Sequence, residues 1–423
     1  MRRRTWWLVG CAGLWIGAAA GKFEPPPTFL ASSILPPDLV KGLHYEVAEA
    51  VTAESHYQTF QIASPYGDLR AEGRSVLVTR LLEFDALARL DDVSKTAVFA
   101  KAAGGAVLNV GKGVVNVVTA PEATLKGVGS GVKRFGVNLG RKGKRAVTAT
   151  EAVGEGGEND KSTGAKAGEA AGHAALSIVG VNGAARKWAK KLNVDPYTSN
   201  PLLHQALVSL GKIDTAGRIA AIIVVPIPVV ASATSTVGGL VWDADPEEVR
   251  KVNERRMGEL GVSKLLADRF FKSPAFTLTN ATRFIGALHS VMVPGCDDYV
   301  SAAAESEDER DALFFVESAE LLAGLHQAQP VRAILVDSRT LVVKMDGARA
   351  IAFLPFDYVY WTEALARSTI EIAARARKEL GARFLQIDVT GTATTKAKTG
   401  LGAAGWKVKE RVTEGLLVKP AGG

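Results

Sequence analysis

Two cysteines, Cys11 and Cys296, are all the thiols in 423 residues. If residues 1–20 are removed, one remains and no intramolecular disulfide can form. A chain of this length can rely on a large apolar core instead, so Cys296 is expected to be buried and inert. Histidine is scarce too. His44, His56, His173, His204, His289 and His326 never stand at zinc-like spacing. The nearest ligand-type group is His289 with Cys296, Asp297 and Asp298, and without a partner motif it reads as a turn at Pro294-Gly295 followed by a helix cap. No Gly-x-Ser-x-Gly elbow occurs, which leaves a hydrolase only a site assembled from dispersed residues. Gly111-Lys112-Gly113 and Gly143-Lys144-Arg145 lack the other residues of a phosphate loop. Gly400-x-Gly402-x-x-Gly405 has the letters of a dinucleotide fingerprint. It follows a helical stretch and precedes a strand, the reverse of the required order. No metal and no cofactor are expected.

Charge is absent from Trp6 to Ala20, directly after Arg2, Arg3 and Arg4. A positive start, an apolar run and the small residues Ala18-Ala19-Ala20 have the order of an export signal. The run spans 15 residues, short of the ~20 of a spanning helix, so cleavage after Ala20 is preferred over retention as an anchor. Leu8-Val9-Gly10-Cys11 resembles a lipoprotein box. The apolar run continues past Cys11, which argues against lipidation there. The expected location is the periplasm or cell envelope, peripheral to or anchored on a membrane. Pro25-Pro26-Pro27 then reads as a stiff spacer.

Acidic residues are missing from 123–150, which holds Lys126, Lys133, Arg134, Arg141, Lys142, Lys144 and Arg145. Net charge is +7, so the basicity is a local patch. Around it, Ala103, Val107, Val110, Val114 and Val117, and then Leu125, Val128, Val132, Phe135 and Leu139, follow helical spacing. Ten glycines fall between Gly104 and Gly143. Each costs about 0.8–1 kcal/mol in a helix interior, so such helices need a surface to lie on. Phe135 is the one aromatic in 126–145, and it sits on the apolar face. Nucleic acid, which wants stacking aromatics among basic residues, is not expected. An anionic lipid surface suits the patch better. The competing reading is a helix packed on the protein with a solvated basic face. The candidate membrane-binding residues are Lys126, Lys133, Arg134, Phe135, Arg141, Lys142, Lys144 and Arg145. Protein partners are left open.

Hydrophobic residues make up 47% and charged residues 22%, so the chain can bury a core and is not globally disordered. Residues 44–73 alternate and predict two or three strands, with a turn at Pro65-Tyr66-Gly67-Asp68. Helical spacing takes over at 75–90, and Asp92 or Ser94 is expected to cap the next helix. Residues 149–172 have no period and read as a flexible linker. Asn200-Pro201 and Asp245-Pro246 each look like an N-cap followed by proline at the first helical position. Ile219 to Trp242 carries no charge over 24 residues, long enough to span a membrane. Pro226 and Pro228 interrupt it, which favours a buried hairpin or core segment. Toward the end, Leu341–Met345 and Ala348–Leu354 flank Asp346-Gly347, a hairpin signal. A helix from Tyr358 to Leu380 closed by Gly381, a strand at 383–389, a helix at 393–401 and a strand at 406–411 complete a compact module.

The expected fold is α+β: a mostly helical body with a small N-terminal β meander and a C-terminal α/β module. The expected divisions are a signal peptide at 1–20, the meander and glycine-rich helices at 21–148, the linker at 149–172, a helical domain at 173–330 and a small α/β domain at 331–423. Asn193-Val194-Asp195-Pro196-Tyr197-Thr198-Ser199-Asn200-Pro201, with Trp242-Asp243 and the Pro-Glu-Glu helix after it, resembles a family of uncharacterised exported bacterial proteins. That resemblance covers the middle of the chain and carries no activity to transfer. The preferred expectation is an envelope scaffold or interaction protein bound peripherally to a membrane. The alternatives are an exported hydrolase with a dispersed site and a membrane-inserting effector, so whether the protein is an enzyme stays open.

Overall fold

The computed structural model describes residues 22–96, 181–214 and 235–413. The expected leader, the glycine-rich stretch expected to be helical, the basic stretch, the expected linker and most of 219–242 lie outside the described residues. Among the described residues no helix is long and apolar enough to cross a membrane.

The first sheet is built from β1 (Thr28–Leu30), β2 (Glu46–Val47), β3 (Ala50–Glu54), β4 (Tyr57–Ala63) and β5 (Leu69–Glu72). Every pairing is antiparallel, with β2 and β3 along one edge of β4 and β5 along the other. The short helices α1 (Ala31–Ile34) and α2 (Pro37–Val40) link β1 to β2. One face is apolar: Val47, Val51, Ala53, Phe60, Ile62 and Ala71 are buried, while Thr52 and Gln61 point to solvent. The alternation predicted for 44–73 is thus realised in four strands rather than two or three. The additional strand β1 follows directly on the proline spacer. The spacer itself is tied down, because Glu24 accepts from Trp361 N–H at 2.5 Å and from the Thr394 hydroxyl at 2.8 Å.

Helix α3 (Arg74–Ser94) runs past Asp92 and takes in Ser94 as its last residue. Neither residue is an N-cap, because Leu87, Leu90 and Val93 keep the apolar stripe going. The first core joins this sheet and α3 to α4 (Gly183–Leu192) and α5 (Pro201–Ile213), with Trp188, Tyr197, Leu203 and Leu207 fully buried. Asn200 caps α5 as expected, its side chain accepting from Leu202 N–H at 3.0 Å.

After α6 (Ser235–Asp243) come α7 (Pro246–Glu259), α8 (Lys264–Phe271), α9 (Leu278–His289), α10 (Cys296–Ala303) and α11 (Glu309–Ala328). Asp245 stands at the N-cap of α7 but makes no capping bond, because its carboxylate pairs with Arg186. Phe270, Phe284, Tyr299 and Phe315 form the aromatic centre of the second core. Cys296 is buried at the start of α10 after Gly295, and burial raises its thiol pKa.

The second sheet has five strands, in the spatial order Trp406–Lys409, Phe384–Val389, Arg349–Leu354, Thr340–Met345 and Ala333–Asp337. Strands β6 (Ala333–Asp337), β7 (Thr340–Met345) and β8 (Arg349–Leu354) are an antiparallel meander. Strands β10 (Phe384–Val389) and β12 (Trp406–Lys409) then add in parallel, after α12 (Glu363–Leu380) and α13 (Thr395–Ala403). The two faces feed two cores. Leu341, Val343, Met345, Ile351 and Phe353 pack with α9 and α11 in the second. Val342, Ala350, Ala352 and Leu354 pack with α12 and α13 in the third. A sheet covered by helices on both sides needs continuous apolar strands, which is what RAIAFL supplies.

Several boundaries differ from expectation: the helix expected at 393–401 is Thr395–Ala403, and the strand expected at 406–411 ends at Lys409. The Asp346-Gly347 hairpin has three loop residues, since Ala348 also takes positive φ and Met345 pairs with Arg349. Helix α12 starts at Glu363, capped by Thr362. Tyr358–Val359 is instead β9, paired in parallel with β11 (Thr392–Ala393). Gly381, at φ +67°, closes α12 as predicted, and Gly400 and Gly402 lie in α13 before β12. The fold class is α+β.

Candidate functional site

The tip of the β3–β4 hairpin joins the first sheet to the C-terminal module. Ser55 and His56 both take positive φ, 51° and 74°, the conformation of a two-residue turn. Neither is glycine, so the turn carries strain. Its contacts offset that strain. The His56 ring sits against Phe356 and Tyr360, centroids 4.9 and 4.6 Å away, and its carbonyl accepts from Tyr358 N–H. Burial lowers the His56 pKa to about 4, so the ring is neutral at pH 7.

The same docking brings Asp357 to the start of α3. Gly73, at φ +104°, turns β5 into α3 and has no side chain to cap it. Asp357 supplies the cap: one carboxylate accepts from Arg74 N–H at 3.2 Å and from Gln58 N–H at 2.9 Å. Negative charge suits this positive helix end. Burial still pushes the Asp357 pKa up to about 6, against the pull of those two N–H groups. Gly391 permits the arrangement, because a Cβ there would lie 1.8 Å from the Asp357 carbonyl oxygen.

One residue further along α3, the exposed Ser75 donates its hydroxyl to Glu317 Oε1 on α11 at 2.7 Å. Burial raises Glu317 to about 7; Ser75 and Arg283 oppose the shift, and Asp357 and Glu320 add to it. Arg283 holds Glu320 through two parallel bonds of 2.9 Å. The N–H groups of Ser75 and Val76, second and third in the helix, have no acceptor within it. A serine hydroxyl on a carboxylate whose pKa burial has raised, beside N–H groups without an acceptor inside the helix, has the parts of a nucleophile, its base and an oxyanion cradle.

A longer polar seam continues from there. Asp195 accepts from the Thr279 hydroxyl at 2.5 Å and Tyr197 N–H at 2.8 Å, and burial raises it to about 6. Arg80 reaches Glu83 at 2.8 Å and Ser199 at 2.6 Å. Asn200 donates to Glu83 at 2.9 Å, and Thr198 also meets Glu83. The segment from Asn193 to Pro201 is therefore structural here: its side chains satisfy the charges buried between α3, α5 and α11.

Lys126, Lys133, Arg134, Phe135, Arg141, Lys142, Lys144 and Arg145 lie outside the described residues. His289 does not join Cys296, Asp297 and Asp298. Its Nε2 is 2.5 Å from Glu259, and the two aspartates are first-turn acids of α10. Among the described residues no three His, Cys, Asp or Glu side chains are grouped to hold a metal ion. Ser75, Glu317 and Asp357 were not singled out from sequence. Their one local signal is Gly73-x-Ser75 between a strand pattern and a helix pattern, half of an elbow motif. Comparison with known proteins found no matching family model, no matching curated protein and no matching solved structure.

Proposed function

We propose that the protein is an exported hydrolase of the cell envelope, with Ser75 as nucleophile and Glu317 as its general base. The supporting observation is the 2.7 Å hydrogen bond from an exposed serine to a carboxylate raised to about 7. In this reading Glu317 takes the Ser75 proton as the hydroxyl attacks an acyl carbon. The N–H groups of Ser75 and Val76 receive the developing oxyanion. Glu317 then gives the proton to the leaving group as its bond to the acyl carbon breaks; water, deprotonated by Glu317, next attacks the Ser75 ester, releasing the acid and returning the proton to Ser75. Asp357 fixes the start of α3 and so positions Ser75. The order of residues 1–20 supports the export part of this reading.

A fluorophosphonate probe and mass spectrometry test the assignment. The expected result is an adduct on Ser75, with labelling that rises with pH through about 7 as Glu317 ionises. Glu317→Gln should slow labelling by roughly 10²–10⁴. Absence of a Ser75 adduct in folded protein overturns the reading. N-terminal sequencing of protein from fractionated cells tests export, and a cytosolic chain that keeps Met1 would refute it.

The seven basic residues without an acid in 123–150 favour a second reading, a scaffold held on anionic lipid. It predicts liposome flotation that is lost when Lys133, Arg134, Arg141, Lys142, Lys144 and Arg145 are all changed to Gln. No flotation of the unaltered protein removes this reading.

A further inference from the structure

A cavity of about 80 Å³ lies where the β3–β4 tip, the first turns of α11, the β6–β7 hairpin and α12 meet. Much of its wall is apolar: Phe314, Leu354, Phe356, Leu365 and Ile372. Tyr57, Arg310 and Arg339 bring polar groups to it. The Tyr57 ring stands edge-on to Phe356, centroids 5.4 Å apart, and its hydroxyl is buried with no hydrogen-bond partner. A buried hydroxyl left unpaired costs stability, so its persistence beside a cavity calls for an explanation.

The acids around the cavity are already engaged. Asp308 accepts from Asp311 N–H at 2.9 Å. Asp311 pairs with Arg339 at 2.5 Å, and Asp337 pairs with Arg375 at 3.0 Å. Glu307 is exposed at the rim. The donors are less fully used. Arg310 has five N–H groups, and its contact with Glu72, at 3.3 Å, engages one nitrogen. Nη2 of Arg339 is close to Asp311 but out of line for a hydrogen bond. The Tyr57 hydroxyl and the two guanidinium groups thus leave capacity for an acceptor, Ser55, Ser338, Thr340, Ser368 and Thr369 add hydroxyls to the wall, and its apolar part suits hydrocarbon.

We infer that this cavity binds a small acyl compound, a carboxylic acid or its ester or amide, whose carbonyl oxygen accepts from the Tyr57 hydroxyl. At roughly 10–15 Å³ for each water-sized group, the space takes about five to eight non-hydrogen atoms. A branched or cyclic apolar part of that size rests on Phe314, Phe356 and Ile372. The inference stands on the cavity and does not require Ser75 to be a nucleophile.

Saturation-transfer NMR and titration of the full chain with isovalerate, isovaleramide and 2-methylbutane test it. At least one of the two acyl probes should bind, with a millimolar or tighter Kd for so few atoms. Tyr57→Phe should weaken that binding about fivefold, with an unchanged or higher Tm because the unpaired hydroxyl is gone. Ser75→Ala should bind as the unaltered protein does, which keeps this result separate from the hydrolase reading. Failure of both acyl probes to bind, equal binding of the hydrocarbon, or equal affinity in Tyr57→Phe overturns the inference. Loss of binding in Ser75→Ala would also overturn it, by moving the probe to the other site.

Discussion

The two five-stranded sheets use apolar residues in opposite ways. In the first, β3 and β4 alternate, and one face is left to water. In the second, neighbouring residues of β7 and β8 enter different cores, so Leu341 to Val343 and Ala350 to Leu354 are continuously apolar. The difference shows where a polar site can form. Where the second sheet is covered on both faces it leaves little room for unpaired charge, whereas the last strand of the first sheet turns into α3, which carries Ser75 and takes its cap from Asp357, just beyond β8. Function, on this reading, gathers where the less buried sheet meets the more buried one.

The largest expected effect tests that contrast directly. Ile351→Lys and Ala352→Lys sit on opposite faces of β8, and both should abolish soluble folded protein, because each leaves an unpaired charge in a core. If either gives a normal denaturation curve, the double coverage is wrong. Next in size is pH. Asp195, Glu317 and Asp357 have folded pKa values of about 6, 7 and 6, raised from 3.8, 4.5 and 3.8. The folded state therefore holds protons that the unfolded state releases, and stability falls as pH rises from about 4 to 7. His56 works the other way: lowered from 6.5 to about 4, it costs stability as pH falls through that window. Three carboxylates outweigh one imidazole. The protein should be more stable at pH 5 than at pH 8 by about 2–3 kcal/mol, at about 1.4 kcal/mol per unit. Calorimetry at the two pH values measures this, and Glu317→Gln should narrow the gap.

A smaller loss is expected from Asp357→Ala, about 1–3 kcal/mol in chemical denaturation, since the N–H groups of Gln58 and Arg74 lose their acceptor. Smallest is Gln61→Lys on the open face of β4, which should stay within about 0.5 kcal/mol. A larger cost there would mean that this face is covered, and the comparison would fail from the other side.

Periodicity made much of this legible. The alternation of 44–73, the apolar stripe of α3, the Asn200 cap, the hairpin near Gly347 and the stop at Gly381 were all readable, because each is settled within a few residues. Strand β1 was not, since prolines mask a segment whose pairing with β3 depends on partners 20 residues on. Tyr358–Val359 looked helical because the residues after it are, and its pairing with Thr392–Ala393 is not a local property. The candidate site was the least visible. Ser75, Glu317 and Asp357 are ordinary residues in their own segments, and burial and proximity alone give them chemistry.

The docking of His56 also has a kinetic side. Gln58 bonds Asp357 across 299 positions, and the first core needs helices from beyond residue 180. Contacts so far apart in the chain slow folding, because loop closure precedes the gain from contact. A chain that emerges from its N-terminus has made the β3–β4 hairpin long before its binding partner exists. The strained turn at Ser55-His56 then waits, with its imidazole in water, until residues 354–360 arrive. The earliest hairpin to emerge is among the last elements to become native, and a chain ended before residue 354 should leave it without a place to dock.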